Sequence, residues 1–243
     1  MTWKNFDPTP YSRVAFAARV AALQWTDWKP SGVTLHNTAG PTLAQWAESG
    51  PNHDARIRNL ESYYEQQLGW HAGPHLFISR NWINGFSNIL EPGVHASCFN
   101  RTHIGIEMVG DFNVEEFETG DGALVRDNTI FAVVTLMKKL GLNPRTDLNF
   151  HIQCAADNHD CPGKNVNRAL MIERVAAAMN GVQLPNSPPY FTAPVPDPVK
   201  AYQAKLIALG YDLGPTGADG DVGAKTKAAL EAFAIATLTK EGN

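Results

Sequence analysis

The stretch "HIGIEMV" (103–109) alternates apolar side chains with small or polar ones, as a β-strand with one buried face does. Successive side chains of a strand point to opposite faces of a sheet. Ile104, Ile106 and Met108 therefore share one face, and Glu107 lies on the other. The stretch predicts a sheet with one apolar face and a glutamate on the opposite face.

Three further segments repeat this pattern: "GVTLH" (32–36), "HLFIS" (75–79) and "LNFH" (148–151). In each segment the apolar residues share one face, and a histidine lies on the other. If the four strands form one sheet that packs its apolar face on helices, three histidines and a glutamate gather on the opposite face. Such a cluster predicts a reaction site.

Helical periodicity accompanies these strands. Apolar and alanine-rich patterns predict helices over 13–23, 54–67, 128–140 and 166–179, with Gly141 as a helix stop. The fold class is therefore predicted as α/β, with a central sheet flanked by helices.

Proline marks a boundary near the C-terminal end. Pro185 to Pro198, "PNSPPYFTAPVPDP", resists helices and sheet ladders and is typical of an extended spacer. We predict a catalytic domain over 1–182, a linker over 183–198 and a small all-helical domain over 199–243.

Composition excludes some classes of function. A net charge of -4 over 243 residues argues against an electrostatically driven nucleic-acid binder. No apolar run of about 18 residues predicts a membrane span. Arg13 and Arg19 interrupt the apolar N-terminal stretch, so we expect no secretory signal and synthesis in a cytoplasm.

The three cysteines are Cys98, Cys154 and Cys161. Because their number is odd, we expect free thiols or metal ligands rather than a disulfide framework.

The stretch "NFHIQCAADNHDCPG" (149–163) concentrates metal-binding side chains. One interpretation is a local structural knuckle of four ligands, and a second is an open site that combines distant elements. A third is that these are ordinary hydrogen-bonded residues. Catalytic zinc sites usually have three protein ligands and an open position. The knuckle would use His151, Cys154, His159 and Cys161, whereas the open site would use His36, His151 and Cys161.

The strand-face pattern favours the open site, because His36 and His151 each end a strand on its polar face. In an extended segment, residues two apart point the same way, so His159 would face the site beside Cys161. There it could stabilise an oxyanion, and Glu107 could transfer a proton. The alternative for Glu107 is an ordinary strand glutamate that faces solvent.

Five motifs in order resemble one family of enzymes. They are "LHNTAG" (35–40), "GWHAGPHLFIS" (69–79), "GVHAS" (93–97), "IGIEMVGDFN" (104–113) and "HIQCAADNHDCPG" (151–163). Residues 30–180 thereby resemble the zinc-dependent N-acetylmuramoyl-L-alanine amidases, a group that includes peptidoglycan recognition proteins, phage lysozyme-amidases and cytosolic muropeptide amidases. The resemblance implies a mixed β-sheet flanked by helices.

The resemblance also assigns roles. It implies that Zn²⁺ is held by His36, His151 and Cys161, and that Glu107 is catalytic. The second catalytic residue of the family is usually a lysine, and His159 stands at that position here. Cys154 matches no ligand position.

Other residues beside the matched motifs are candidates for contact with substrate or the zinc ligands, and a structural role is an equal alternative for each. These are Asn37, His75 and His95. Some phage members carry a tyrosine before the histidine of the "HLFIS" strand, where this chain has Pro74. This difference leaves Glu107 as the expected proton-transfer residue.

The tail resembles a peptidoglycan-binding module of the three-helix type, in "VKAYQAKLIALGYDLGP" (199–215) and "ADGDVGAKTKAALEAF" (218–233). The tail is short for this module, so its last helix is expected to be reduced. With the amidase motifs, it implies a monomeric phage endolysin that is made in the host cytoplasm and cleaves bacterial peptidoglycan in the envelope.

Three alternatives remain, and one is a structural zinc knuckle in an interaction protein, which would use Cys154. A cytosolic muropeptide-recycling amidase would not need the wall-binding tail. A non-catalytic peptidoglycan recognition protein would commonly lack the third ligand, which is present here as Cys161.

Overall fold

The computed structural model describes residues 6–25, 27–47, 53–182, 198–215, 217–219, 223–230 and 232. The chain divides into two compact units, Met1–Thr192 and Ala193–Asn243. Within the described ranges, no helix is long and apolar enough to cross a membrane.

The larger unit is built on one mixed sheet, which has six strands in the described residues. In chain order they are β1 (Pro10–Tyr11), β2 (Gly32–Asn37), β3 (Leu76–Ile78), β4 (Ile83–Gly85), β5 (His103–Met108) and β6 (Leu148–Phe150). Their spatial order is β1-β4-β3-β5-β2-β6. The strands β3, β5, β2 and β6 are parallel neighbours, and β4 runs antiparallel to β1 and β3. All four predicted strands therefore lie in one sheet.

The register of the sheet separates apolar from polar side chains. Leu35 pairs with Ile106 on one side and with Phe150 on the other. Paired residues of neighbouring strands point to the same face, so these side chains form a continuous apolar surface, as predicted. His36 pairs with Glu107, which places both side chains together on the opposite face.

Helices cover the sheet. In the larger unit they are α1 (Arg13–Ala21), α2 (Leu43–Ala47), α3 (His53–Gln66), α4 (Gly120–Leu140), α5 (Pro144–Asp147) and α6 (Arg168–Met179). The four predicted helices are confirmed as α1, α3, α4 and α6. Helix α4 begins at Gly120 rather than at residue 128, and it ends as predicted, because Gly141 caps it in the left-handed conformation at φ 74°.

The main core lies between the apolar face of the sheet and α4, which contacts β2, β3, β4 and β5. Helices α1 and α6 pack against α4 and contribute Phe16, Val20, Met171 and Val175 to the core. Full burial of such side chains stabilises the fold by about 1.5–3 kcal/mol each. This helix layer fixes which face of the sheet is buried, and so turns the polar face to the other side.

A second apolar cluster lies on the polar side of the sheet. Ile57 of α3 packs there with Phe77, Phe86 and Val109. Phe77 of β3 pairs with Glu107 of β5, so this cluster stands directly beside the glutamate and excludes water from it.

The smaller unit contains α7 (Pro198–Ala208) and helical residues at 224–230. Leu206, Leu213 and Ala229 form its small core. The fully buried Gln203 side chain donates to Asp219 Oδ1 and Thr226 Oγ1, each at 3.1 Å. The predicted linker spans residues 183–198. All of it lies outside the described residues except Pro198, where α7 begins. The domain boundaries and wall binding stay predictions.

Candidate metal and catalytic site

His36 stands near the end of β2, which lies between β5 and the edge strand β6. Its side chain is almost fully buried, with 1% of the residue exposed. The strands β5 and β6 flank β2, so residues that follow these strands can reach the same point. Parallel strands whose ends meet in this way are a common setting for a site.

His151 and Cys161 reach this point from the loop after β6. His151 opens a short 3-10 turn, His151–Gln153, and the Ile152 backbone N–H donates to the Cys161 carbonyl oxygen at 2.8 Å. This bond joins the two ends of the loop. Gly163 then turns the chain at φ 100°, where a Cβ would lie 2.5 Å from a backbone carbon of Phe112, so glycine is required.

The three predicted ligands converge. The metal-binding atoms of His36, His151 and Cys161 all lie within 4.8 Å of one another. His36 Nδ1 and His151 Nδ1 are 3.1 Å apart although the residues are 115 positions apart in the chain. Two nitrogen ligands of a tetrahedral zinc lie about 3.3 Å apart. The Asn37 backbone N–H donates to Cys161 Sγ at 3.2 Å and holds the sulfur in place.

A chain of hydrogen bonds fixes the tautomer of His36. The His103 carbonyl oxygen can only accept, so His95 Nε2, 3.3 Å away, carries a hydrogen. In the neutral ring, His95 Nδ1 then accepts from His36 Nε2–H at 3.0 Å. His36 Nδ1 is left with a free lone pair that points towards His151.

An aspartate fixes the tautomer of His151 in the same way. His151 Nε2 lies 3.0 Å from Asp157 Oδ2, and the carboxylate accepts its hydrogen. His151 Nδ1 therefore also carries a lone pair, and it faces the lone pair of His36 Nδ1. Two lone pairs 3.1 Å apart repel each other, so this donor set is suited to a cation.

The protonation states agree with metal binding. Burial lowers the pKa of His36 well below its ordinary value, and the nearby His95 and His151 lower it further. Burial also lowers the pKa of His151, so both rings are neutral at pH 7, the form that binds metals. Burial raises the pKa of the Cys161 thiol, so its thiolate needs a neighbouring cation. Mixed histidine and cysteine ligands suit zinc.

Glu107 lies beside these ligands in an apolar environment. Its Oε1 is 3.9 Å from His36 Nδ1, and its buried Oε2 finds no hydrogen-bond partner among the described residues. Burial raises the pKa of Glu107 to about 8. The residue is 8% exposed, so the solvent-facing alternative is wrong. A buried carboxyl with a raised pKa is suited to proton transfer.

His159 borders the site from the loop. Its ring stacks on that of His151, with centroids 4.6 Å apart and an interplanar angle of 14°. The Cys161 backbone N–H donates to His159 Nδ1 at 3.3 Å. Nε2 of His159 therefore carries the hydrogen of the neutral ring and is the donor that this exposed side chain can offer to a substrate.

The residues expected to contact substrate have other contacts in this structure. Asn37 is buried, and its amide donates to the Gly110 carbonyl oxygen at 3.3 Å. Both ring nitrogens of His75 bond to backbone, since Gly105 N–H donates to Nδ1 and Nε2 donates to the Glu91 carbonyl oxygen, each at 2.9 Å. The ring nitrogens of His75 are therefore both bonded to backbone in this structure, and the Asn37 backbone holds the Cys161 sulfur. The substrate contacts of both residues stay predictions. His95 orients His36, the other role expected for it.

The cysteine prediction is wrong for two of the three residues. Cys98 and Cys154 form a disulfide, with an S–S distance of 2.07 Å, and the buried Cys161 is free. An odd number of cysteines argues against a framework in which every cysteine forms a disulfide. It does not exclude one disulfide beside one cysteine that is free to bind a metal. Because Cys154 has no thiolate to offer, the four-ligand knuckle is also wrong.

Asp157 is the residue of the site that sequence reasoning missed. It lies inside the stretch 149–163, but no regular spacing links it to His151. The turn that brings it back to His151 Nε2 depends on contacts with the loop at 93–100, which the sequence pattern does not reveal. The presence of a second aspartate among metal-binding residues was the one available signal.

Comparison with known proteins then decides the family. Residues 26–164 match the family model described as N-acetylmuramoyl-L-alanine amidase. This match covers more than half of the chain. The chain belongs to the N-acetylmuramoyl-L-alanine amidase family. The resemblance carried by the five motifs is thus confirmed, and the fold agrees with it.

Two solved structures are similar to this amidase-family chain. The peptidoglycan recognition protein SD of Drosophila is 17% identical with a TM-score of 0.50, over 69% of this chain and 88% of its own. The endolysin N-acetylmuramoyl-L-alanine amidase LysCS from Clostridium intestinale is 20% identical with a TM-score of 0.46, over 75% and 99%. At 17% identity, the likeness to the recognition protein concerns the fold alone.

A short segment is similar to a curated protein. The type VI secretion system spike protein VgrG3 of Vibrio cholerae is 62% identical over 37 residues, which are 15% of this chain. The match spans only 4% of the length of that relative.

Proposed function

We propose that this chain is a peptidoglycan hydrolase that cleaves the amide bond between N-acetylmuramic acid and L-alanine, with zinc held by His36, His151 and Cys161. The observation that carries the proposal is the convergence of His36 Nδ1, His151 Nδ1 and Cys161 Sγ within 4.8 Å. Both imidazole lone pairs are directed to the same point by hydrogen bonds to the outer ring nitrogens. Membership of the amidase family supports the choice of bond.

Zinc bound there would polarise the scissile carbonyl and acidify the attacking water. Glu107 is our candidate for the group that moves the proton. A cation near His36 favours the ionised form of Glu107, whose pKa burial otherwise raises to about 8. The carboxylate then accepts a proton from the attacking water and delivers it to the leaving amine of L-alanine.

His159 is our candidate for stabilising the tetrahedral intermediate. Its Nδ1 accepts from the Cys161 N–H, which directs the Nε2 hydrogen away from the Cys161 backbone. Stacking on His151 keeps the ring parallel to a ligand ring at 4.6 Å. In this position Nε2–H would donate to the oxyanion that forms from the carbonyl oxygen.

We further propose that the enzyme acts as an endolysin in the bacterial envelope. The disulfide between Cys98 and Cys154 supports action in an oxidising compartment. The C-terminal unit would hold the enzyme on the polymer and raise its local concentration. The complete set of three ligands favours a hydrolase over a recognition protein without activity.

The experiment combines metal analysis with cleavage of a defined muropeptide. Purified protein is expected to contain about one zinc per chain and to release peptides that begin with L-alanine. His36→Ala and Cys161→Ser should lose both zinc and cleavage. Cys154→Ser leaves all three ligands in place but breaks the disulfide, so it should bind zinc more weakly than the wild type and still cleave at saturating zinc. Loss of zinc in Cys154→Ser with retention in His36→Ala would refute the proposed site.

A further inference from the structure

Two loops meet beside the proposed zinc ligands and are joined covalently. The loop at 93–100 carries His95, which bonds to His36, and Cys98. The loop after β6 carries His151 and Cys154. The disulfide links the loops with a Cα–Cα distance of 5.5 Å, and Cys154 is fully buried.

Ser97, the residue before Cys98, binds the carboxylate of Asp157 in the other loop. The Ser97 backbone N–H donates to Asp157 Oδ2 at 2.8 Å, and the Ser97 hydroxyl donates to Asp157 Oδ1. The same Oδ2 accepts from His151 Nε2 at 3.0 Å. Ser97 therefore fixes the carboxylate of Asp157. The same carboxylate accepts from His151, whose ring is expected to ligate zinc.

We propose that Asp157 is a positioning residue which orients His151 as a metal ligand, and that the Cys98–Cys154 disulfide holds Ser97 in place to fix Asp157. This inference rests on the proposed metal-dependent function. The four residues Ser97, Cys98, Cys154 and Asp157 are called the clamp below.

The arrangement explains why a covalent link is useful at this point. Asp157 is partly exposed, so water competes for its oxygens and weakens the net contribution of each hydrogen bond to them. A sequence separation of 56 positions between Cys98 and Cys154 places the loops far apart along the chain. The disulfide keeps Ser97 next to Asp157 without relying on those weak bonds.

The loop at 93–100 contributes to the clamp and also carries the hydrogen-bond partner of His36. His36 is oriented by His95 from the loop at 93–100, and His151 is oriented by Asp157, which that same loop holds through Ser97. One loop therefore sets the direction of both imidazole lone pairs. Loss of a partner behind a metal-binding histidine typically weakens metal affinity about 10- to 100-fold.

The test measures zinc affinity by competition with a chromophoric chelator, using the full-length oxidised protein. Asp157→Ala is expected to bind zinc about 10- to 100-fold more weakly than the wild type. Asp157→Asn keeps a carbonyl acceptor for His151 Nε2–H and should lose less. Glu116→Gln removes a carboxylate charge from an exposed position outside both loops, and it should bind like the wild type.

A second pair of samples tests the disulfide. The double variant Cys98→Ser/Cys154→Ser should bind zinc several-fold more weakly than the wild type. Reduction of the wild type by a phosphine, which takes oxygen from water and leaves two thiols, should weaken binding similarly. The same treatment should not alter the double variant.

The outcomes separate the two proposals. If the wild type binds no zinc, the proposed metal site fails, and this inference fails with it. If the wild type binds zinc and Asp157→Ala binds within twofold of it, the inference alone is overturned. Nitrogen NMR of His151 in the metal-free protein adds a readout that a merely structural aspartate would not move. The Nε2–H tautomer should predominate in the wild type and lose that dominance in Asp157→Ala. Asp157→Asn, whose carbonyl oxygen still accepts from Nε2–H, should keep more of it.

Discussion

At the scale of single residues, Glu107 depends most on what surrounds it. A carboxyl group on a solvated strand would be ionised at neutral pH. Here Phe77 and its apolar neighbours stand beside it, and burial raises its pKa to about 8. The proposed proton transfer uses a group that can hold or release a proton near neutral pH.

Replacing Glu107 with glutamine separates metal binding from catalysis. Glu107→Gln preserves the shape of the side chain and none of the three ligands is altered, so zinc content should stay at the wild-type level. Loss of a general acid–base group should lower kcat by about 10²- to 10⁴-fold. Kinetics on a soluble muropeptide, beside metal analysis, measure both. A rate within threefold of the wild type would remove Glu107 from the mechanism.

The substitution of His159 tests the oxyanion role. His159→Ala should lower kcat by about 10²-fold, because it removes a donor to the tetrahedral intermediate. His159→Lys restores a donor of the type that the family usually has there, and it should recover much of the rate. If the alanine variant keeps full activity, His159 is only a stacking partner of His151.

At the scale of structural elements, buried histidines connect strands to loops. His75 precedes β3 and accepts from Gly105 N–H of β5, while its other nitrogen bonds to the Glu91 carbonyl. The ring also stacks on Trp28, with centroids 5.5 Å apart. Burial lowers its pKa to about 4, and protonation of Nδ1 would break the bond from Gly105.

The lowered pKa of His75 predicts how the stability of the fold depends on pH. The unfolded chain takes up a proton at His75 near pH 6.5, whereas the folded chain does so only near pH 4. The unfolded state therefore binds more protons between these values, and stability is lost as pH falls from about 6.5 to 4. His75 contributes up to about 3 kcal/mol to this loss.

The measurement is urea unfolding of metal-free protein at pH 7 and pH 5. His75→Asn retains an acceptor for Gly105 and removes the titrating group, so its stability should fall less over this interval than that of the wild type. Equal losses in the two proteins would show that His75 does not titrate as the structure indicates.

The elements also show what sequence could predict. Alternation along 103–109 and its three companion segments sufficed for the sheet and its polar face, because side-chain direction in a strand follows from local geometry. The short strands β1 and β4 were missed because β1 has only two residues and β4, Ile-Asn-Gly, has only one apolar residue, so neither shows an alternation. The disulfide and the Asp157 contact depend on two loops 56 residues apart meeting in space, which no local pattern encodes.

At the scale of the whole molecule, the two compact units predict separate roles, namely catalysis in the larger unit and wall binding in the smaller one. Removal of residues 193–243 should weaken binding to intact sacculi, since the anchoring unit is lost. All proposed site residues lie in the larger unit, so cleavage of a small soluble muropeptide should stay near the wild-type rate. Sacculus pull-down and muropeptide kinetics measure the two effects. Unchanged sacculus binding would contradict the proposed role of the tail.

The identity of the bond that is cleaved is the central claim. The direct measurement is mass spectrometry of the fragments released from purified sacculi by the zinc-loaded protein, with Cys161→Ser as the inactive control. The account predicts new peptides with free L-alanine N-termini and glycan chains without new reducing ends. New reducing sugar ends without free L-alanine N-termini would identify a glycosidase and contradict it.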